Sequence, residues 1–312
     1  MWALDFIRRP ERYKGENMSS IYLPHLELEK KAIMRLKTFE PQSEAYYGCY
    51  SGGKDSDCIK ILAALAGVNV DWEHNLTTVD APETVQYIKS QKDVHISMPK
   101  KTMWQLIPDK LMPPTRLARY CCSELKEKGG MGRVKIIGVR WAESNNRANN
   151  NGVAKIIGKP KTVQKMASDL DADFTLTVKG GVVLNTDNDI SRRMVEQCYR
   201  TTSTMVNPIV EWEDSDVWSF LNYYGCKSNP LYECGYKRIG CIGCPMAGKS
   251  RYVEFERYPK YKQNYIKAFD RMIVRLKEKQ LHRKIQWQSG EEVFKWWMEE
   301  DPNQLSLFDA EV

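Results

Sequence analysis

The stretch from Tyr46 to Gly67, YYGCYSGGKDSDCIKILAALAG, constrains the fold of this chain more than any other. Tyr46 to Tyr50 has the length and aromatic content of a buried strand, and after Asp57 the residues Ile59, Leu62, Ala63 and Ala66 recur at helical spacing up to a terminal glycine. The segment therefore reads as strand, tight loop, helix. Gly52 and Gly53 let the backbone approach a ligand closely, while the first amides of the helix point unpaired into the loop at the positive end of the macrodipole. Such a loop selects an anion. Lys54 adds a mobile positive charge, Ser51 and Ser56 add hydroxyl hydrogen bonds, and Asp55 is placed to hold Mg²⁺ or to orient the loop. The GxxxxGK[ST] spacing of the Walker loop is absent.

The chain around this loop has 312 residues, 42% hydrophobic and 28% charged, enough for a substantial core in one large domain or two small ones. No apolar run is long enough to span a membrane, and MWALDFIRRPERYKGEN lacks the apolar core of a signal peptide, so a cytoplasmic location without a membrane partner is expected. In that reducing compartment nine cysteines point to metal, cluster or sulfur chemistry and away from disulfides. The net charge of +7 is concentrated between Ser250 and Lys284, where eleven Lys and Arg face four Asp and Glu. A basic face there suits nucleic acid.

In chain order, Leu28, Ala32 and Leu36 mark a helix from about Leu26 to Phe39, ended by Pro41. Strand-like runs follow at Val68–Val79, Val94–Met98 and Val134–Val139, alternating with helices that begin after Asp80 and at Thr102. This alternation implies an α/β fold: a parallel sheet with helices on both faces and ligands beyond the carboxyl ends of the strands. NNRANNN, residues 145–151, reads as a polar loop, and FTLTVKGGVVLN, residues 174–185, as a β-hairpin turning at Gly180-Gly181. A helix from Glu213 to Tyr224 is capped by Asp214 or Ser215; a stripe from Tyr261 to Leu276 reads as packing; Ser289 and Glu292 form a capping box for a last helix. The expected organisation is an N-terminal helical segment (1–44), a nucleotide-binding α/β domain (45–245) with an insertion at about 145–198, a basic helical C-terminal region (246–300) and a tail (301–312).

Cys121-Cys122 and the CxxC of Cys241 and Cys244 are the second strong signal, since a CxxC turn sets two thiolates on one side of a loop and an adjacent pair can supply others. A four-thiolate site holds zinc or an iron–sulfur cluster, and spacing leaves that choice open, as it leaves open whether Cys198, Cys226 or Cys234 replaces a member of the pair. Arg140 and Arg147, just past a strand end, are placed to clamp phosphates, although Glu143 and Arg147 also have the i,i+4 spacing of a surface ion pair. Asp80 follows the second strand and can reach a nucleotide or its magnesium, or cap the next helix. The four histidines form no ligand spacing.

SGGKDS resembles the pyrophosphate loop of the N-type ATP pyrophosphatases, which cleave ATP between its α and β phosphates. With ARYCCSELKE, IGVRWAESNNR, NPIVEWEDSDVW and NPLYECGYKRIGCIGCP, the chain from about 30 to 270 resembles the phosphoadenosine phosphosulfate reductase family in its broad sense, with an adenine nucleotide α-hydrolase-like fold. That resemblance implies ATP and Mg²⁺ at Ser51, Gly52, Gly53, Lys54, Asp55, Ser56 and Asp80. It also implies catalytic roles for Lys54, Asp55 and Arg140, and a [4Fe-4S] cluster on Cys121, Cys122, Cys241 and Cys244 with zinc as the alternative.

Two departures shift the expected reaction. True sulfonucleotide reductases carry a degraded loop where SGGKDS is intact, and they use a cysteine in an ECGxH tail, whereas no cysteine follows Cys244 here. The chain is therefore similar to the DNA phosphorothioation and cluster-dependent thiolase branch, which implies ATP activation of a nucleic acid, DNA favoured, and a separate sulfur donor. The alternatives are a sulfonucleotide reductase and a DNA-associated module with an idle nucleotide site. Finally, Gln304, Leu305, Leu307 and Phe308 in QLSLF resemble the pentapeptide that binds the bacterial DNA sliding clamp.

Overall fold

The structure, a computed structural model, describes residues 24–279 and 287–299. Among these, eight strands form one sheet: β1 (Tyr46–Cys49), β2 (Val70–Asn75), β3 (Val94–Ser97), β4 (Val134–Ile136), β5 (Ala154–Ile157), β6 (Phe174–Leu176), β7 (Val182–Leu184) and β8 (Ser203–Val206). The helices are α1 (Pro24–Thr38), α2 (Lys54–Ala66), α3 (Pro82–Ser90), α4 (Met103–Lys110), α5 (Tyr120–Leu125), α6 (Asn145–Asn150), α7 (Pro160–Asp169), α8 (Asp189–Cys198), α9 (Asp214–Tyr223), α10 (Ser250–Arg257), α11 (Pro259–Glu278) and α12 (Gly290–Met298). The chain divides into two units. The first comprises the described residues up to His74, Glu83–His95 and Gly130–Ile239; the second comprises Asn75–Pro82, Ile96–Gly129 and the described residues from Gly240 onward.

The first unit carries the sheet, in the order β3-β2-β1-β4-β8-β5-β7-β6. β1 runs parallel to β2 and β4, and β4 parallel to β8, while β5, β7 and β6 add on antiparallel. The α/β fold expected from the strand–helix alternation is thus present, as is the hairpin, whose strands β6 and β7 join through a turn where Gly180 has φ +78°. The stretch 145–198 does more than decorate the fold, because β5, β6 and β7 extend the sheet past β8. Ile136, Ala154, Ile156, Val182, Leu184 and Val206 are fully buried in its core. Helix α1 covers α2 and α9, and its buried Arg35 forks onto Glu211 at 2.8 and 3.0 Å while donating to the Pro208 carbonyl at 2.6 Å.

Three local expectations are corrected. Residues 145–150 form α6 where a loop was expected, because the Ser144 hydroxyl accepts the Arg147 amide at 3.3 Å and Glu143 pairs with Arg147 across one turn. Helix α9 is capped from Glu213, whose amide donates to Asp216 at 2.8 Å, which frees Asp214 for another role. Strand β4 ends at Ile136, short of the expected Val139, and 137–140 follow without regular structure to Arg140.

In the second unit, α11 packs on α4, α10 and α12. Its stripe Tyr265, Phe269, Met272, Ile273 and Leu276 is buried, and Trp297 and Phe255 meet the Tyr265 ring at 4.8 and 5.7 Å, so the stripe is packing. Ser289 caps α12, its hydroxyl accepting the Glu292 amide at 3.3 Å, but the box is not closed as expected, because the Glu292 carboxylate accepts the Gln288 amide at 2.7 Å. Among the described residues no helix is long and apolar enough to cross a membrane. Gln304, Leu305, Leu307 and Phe308 lie outside the described residues.

Candidate functional site

The strand order reverses at β1: β2 and β3 lie on one side, β4 and β8 on the other. In an open parallel sheet the loops leaving two such strands part and open a crevice at their carboxyl ends. The loop after β1 leads to Lys54 and Asp55, and the segment after β4 leads to Arg140. Between β1 and α2, Gly52 sits at φ +71°, a conformation open to glycine at little cost, and Gly53 precedes the helix in extended geometry. The Ser56 hydroxyl closes the loop, accepting the Gly53 amide at 3.1 Å and the Ser51 hydroxyl at 3.2 Å and donating to the Gly53 carbonyl at 2.7 Å. Gly138 passes so close that an added Cβ would lie 2.9 Å from Asp55 Cβ.

The charges here form a closed network. Lys54 is nearly buried, with its Nζ 3.6 Å from Asp55 and 3.4 Å from Asp214. Arg140, 1% exposed, donates through Nε to Asp55 at 2.7 Å, to the Trp212 carbonyl at 3.1 Å and to Asp214. Burial opposes the guanidinium's charge, but Asp55 and Asp214 outweigh it and raise its pKa. Burial likewise opposes ionisation of Asp214, and Arg140 and Lys54 outweigh that, holding its carboxyl below the usual range. Where the sequence suggested a phosphate clamp, three of the Arg140 N–H groups are engaged by two carboxylates and a carbonyl, which makes it a scaffold for Lys54. Arg147 is paired with Glu143 at 2.5 Å.

Two residues that sequence reasoning did not single out brace the loop from the turn at Asn229. Asn229, 1% exposed, donates to the Gly52 carbonyl at 3.0 Å and to Thr84 at 3.1 Å, and accepts the Leu231 amide at 3.1 Å. The Tyr232 hydroxyl accepts the Lys54 amide at 2.9 Å. One turn of α2 further, Asp57 is buried and accepts from Tyr50 at 2.5 Å and Tyr87 at 3.0 Å; burial nonetheless pushes its carboxyl up to about 7. For Asn229 and Tyr232 the sequence offered only the NPLYE string, which carries part of the family resemblance and not these roles.

The second unit holds Cys121, Cys122, Cys241 and Cys244 together with Asp80. Asp80 and Cys241 are bridged through their backbones, the Asp80 carboxylate accepts the Thr77 amide at 2.7 Å, and its carbonyl accepts Tyr261 at 2.9 Å. Cys121 lies within electrostatic reach of the other three thiols. Cys122 is held below the ordinary thiol range, first by the hydrogen bond with Cys121 and then by Arg119, whose guanidinium is 3.4 Å from its sulfur. Burial pushes Cys241 up, and Lys126 opposes it; the Cys241 thiolate in turn raises Lys126. Four thiols with two nearby cations are a donor set suited to a thiolate-bound metal or cluster, which needs its sulfurs deprotonated. Among the described residues, no three His, Cys, Asp or Glu side chains converge as a metal-binding group. Cys198 belongs to the first unit, against Met166 at 3.2 Å, as do Cys226 and Cys234.

Residues 46–247 match the phosphoadenosine phosphosulfate reductase domain, well over half of the chain. The chain belongs to that family. An uncharacterized protein of Methanocaldococcus jannaschii is 24% identical over 260 residues, 78% of this chain and 53% of that protein. The adenosine 5'-phosphosulfate reductase of Allochromatium vinosum is 38% identical over 42 residues, 14% of this chain and 16% of that enzyme. The chain thus spans about half, or less, of the length of these curated relatives. Among solved structures it is similar to the phosphoadenylyl-sulfate reductase of Candida auris (TM-score 0.42, 14% identity, 71% of this chain and 97% of that one). It is also similar to the U34-tRNA thiolase NcsA of Methanococcus maripaludis with its [4Fe-4S] cluster (TM-score 0.39, 11% identity, 82% and 81%).

Proposed function

We propose that this family member is an ATP pyrophosphatase-type enzyme that binds MgATP at residues 51–56 and adenylates a substrate, nucleic acid being favoured, for sulfur transfer. The observation that carries the reading is the intact Ser51–Ser56 loop at the switch point of the sheet, with the Lys54 ammonium held at its base 3.4 Å from Asp214 and 3.6 Å from Asp55. Two cations offset by two carboxylates leave the loop without excess positive charge, so a polyphosphate is best accommodated with Mg²⁺ on its oxygens. A substrate oxygen then attacks the α-phosphorus, the bond to the bridging oxygen breaks, and pyrophosphate departs; Lys54 and the first amides of α2 stabilise the charge it carries away.

Cys121, Cys122, Cys241 and Cys244 would hold a [4Fe-4S] cluster, with zinc as the alternative. Such a cluster, when bound, supplies an iron site for sulfur or electron chemistry. Recruitment to DNA through Gln304, Leu305, Leu307 and Phe308, with the sliding clamp as partner, belongs to the same proposal.

The test is anaerobically prepared protein incubated with MgATP, DNA or tRNA, and sulfide. AMP and pyrophosphate in equal amounts, lost in Lys54→Ala, are expected. Thioredoxin-dependent sulfite release from a sulfonucleotide with no AMP from ATP would overturn the reading in favour of a reductase. Iron and sulfide analysis with an absorbance spectrum separates cluster from zinc.

A further inference from the structure

The Lys54 amide is a first-turn amide of α2 and has no acceptor within its own helix. In a bare anion loop it would be offered directly to a phosphate oxygen, yet here it is 2.9 Å from the Tyr232 hydroxyl. That phenol is held from three directions. Its ring stands edge-on to Trp218 at 4.9 Å and 90°, its amide donates to the Asn229 carbonyl at 3.1 Å, and Asn229 itself is fastened to the Gly52 carbonyl at 3.0 Å. An alanine-like Cβ at Gly53 would lie 3.2 Å from the same hydroxyl, so the oxygen sits against the glycine pair that a ligand must approach.

A phenol that accepts a hydrogen bond still has its own O–H to give. Among the described residues no acceptor meets that proton. Burial, joined by Asp55, Asp57 and Asp214, holds the Tyr232 phenol well above its ordinary range, so it stays protonated at neutral pH. Each hydrogen bond in a chain polarises the next, so a hydroxyl that accepts from the helix terminus is a stronger donor.

We propose that Tyr232 is a phosphate-binding residue of this loop, passing the dipole of the Lys54 amide through its hydroxyl to an oxygen of the pyrophosphate moiety. The role of Asn229 is to position it: by fixing the Gly52 carbonyl, it keeps the flexible Gly52–Gly53 peptide from turning that oxygen toward the anion. The ligand class is a polyphosphate. The inference rests on the MgATP reading of the loop, and the experiment separates the two.

Binding of inorganic pyrophosphate, α,β-methylene-ATP and adenosine, each with Mg²⁺, is measured by calorimetry on the full chain and on Tyr232→Phe, which keeps the ring against Trp218. Loss of one hydrogen bond to a charged ligand is expected to weaken pyrophosphate and the analogue by about ten- to a hundredfold. Adenosine binding should be unchanged, whereas a general loosening of the loop would weaken all three. If the wild type binds neither pyrophosphate nor the analogue, the MgATP reading falls and the relay with it. If the wild type binds them and Tyr232→Phe binds them equally well or more tightly, the relay alone is overturned and Tyr232 is inert or a competitor for the Lys54 amide.

Discussion

Replacing Arg140 by Met tests whether the charged network is a scaffold. The substitution preserves most of the buried stem and removes three donor contacts, to Asp55 at 2.7 Å, to the Trp212 carbonyl at 3.1 Å and to Asp214. The Trp212 carbonyl loses its donor within the core, which costs about 1–3 kcal/mol. Asp55, with a side chain 23% exposed, loses its nearer cation but keeps Lys54 at 3.6 Å, a loss of about 1–2 kcal/mol for one charged hydrogen bond. The Asp214 side chain is 65% exposed and rehydrates, so its share is only about 0–1 kcal/mol. Together these give roughly 2–6 kcal/mol, which spans the roughly 3–5 kcal/mol expected when one partner of a buried ion pair is removed. Urea unfolding followed by circular dichroism should record that loss. Adding Asp55→Asn should recover about 1 kcal/mol of it, since a neutral amide no longer needs the cation. A loss below about 1 kcal/mol, or no recovery in the double variant, would refute the scaffold role of Arg140.

Gly138→Ala places a methyl 2.9 Å from Asp55 Cβ and 3.2 Å from its backbone, so the first turn of α2 must shift; pyrophosphate affinity should fall and stability drop by about 1–3 kcal/mol, measured by calorimetry and thermal melting. Asp57 is raised to about 7 in the fold against an ordinary 3.8, so the folded state binds the proton more tightly than the unfolded chain. Its contribution to stability is complete below the unfolded value and is lost as pH rises toward and through 7. Urea midpoints should therefore fall between about pH 4 and 7 and level off above that, and Asp57→Asn should flatten the fall; an unchanged slope would locate the titration elsewhere.

The strand–loop–helix unit was legible because its determinants are contiguous: the aromatic run of β1, two glycines at the turn and the apolar spacing of α2 depend only on neighbours along the chain. The same holds for the hairpin at Gly180-Gly181 and for the N-cap at Ser289. Legibility failed where a partner comes from far away. Asp55 meets Arg140 across 85 positions, Gly52 meets Asn229 across 177, and the Lys54 amide meets Tyr232 across 178. None of those pairings has a periodicity to reveal it, since each is set by how segments distant in the chain pack together.

By itself, then, the sequence determined a strand–glycine loop–helix unit and four thiols paired in two short motifs. Tertiary structure decided what the charges do there. The strand order turns back at β1, bringing the ends of β1 and β4 together, and there two carboxylates claim both Lys54 and Arg140 while a phenol takes the first amide of the helix. An Arg past a strand end has the same local signature whether it clamps a phosphate or braces a lysine. The difference lies in Asp214 and the Trp212 carbonyl, which only the folded chain brings within reach of its guanidinium.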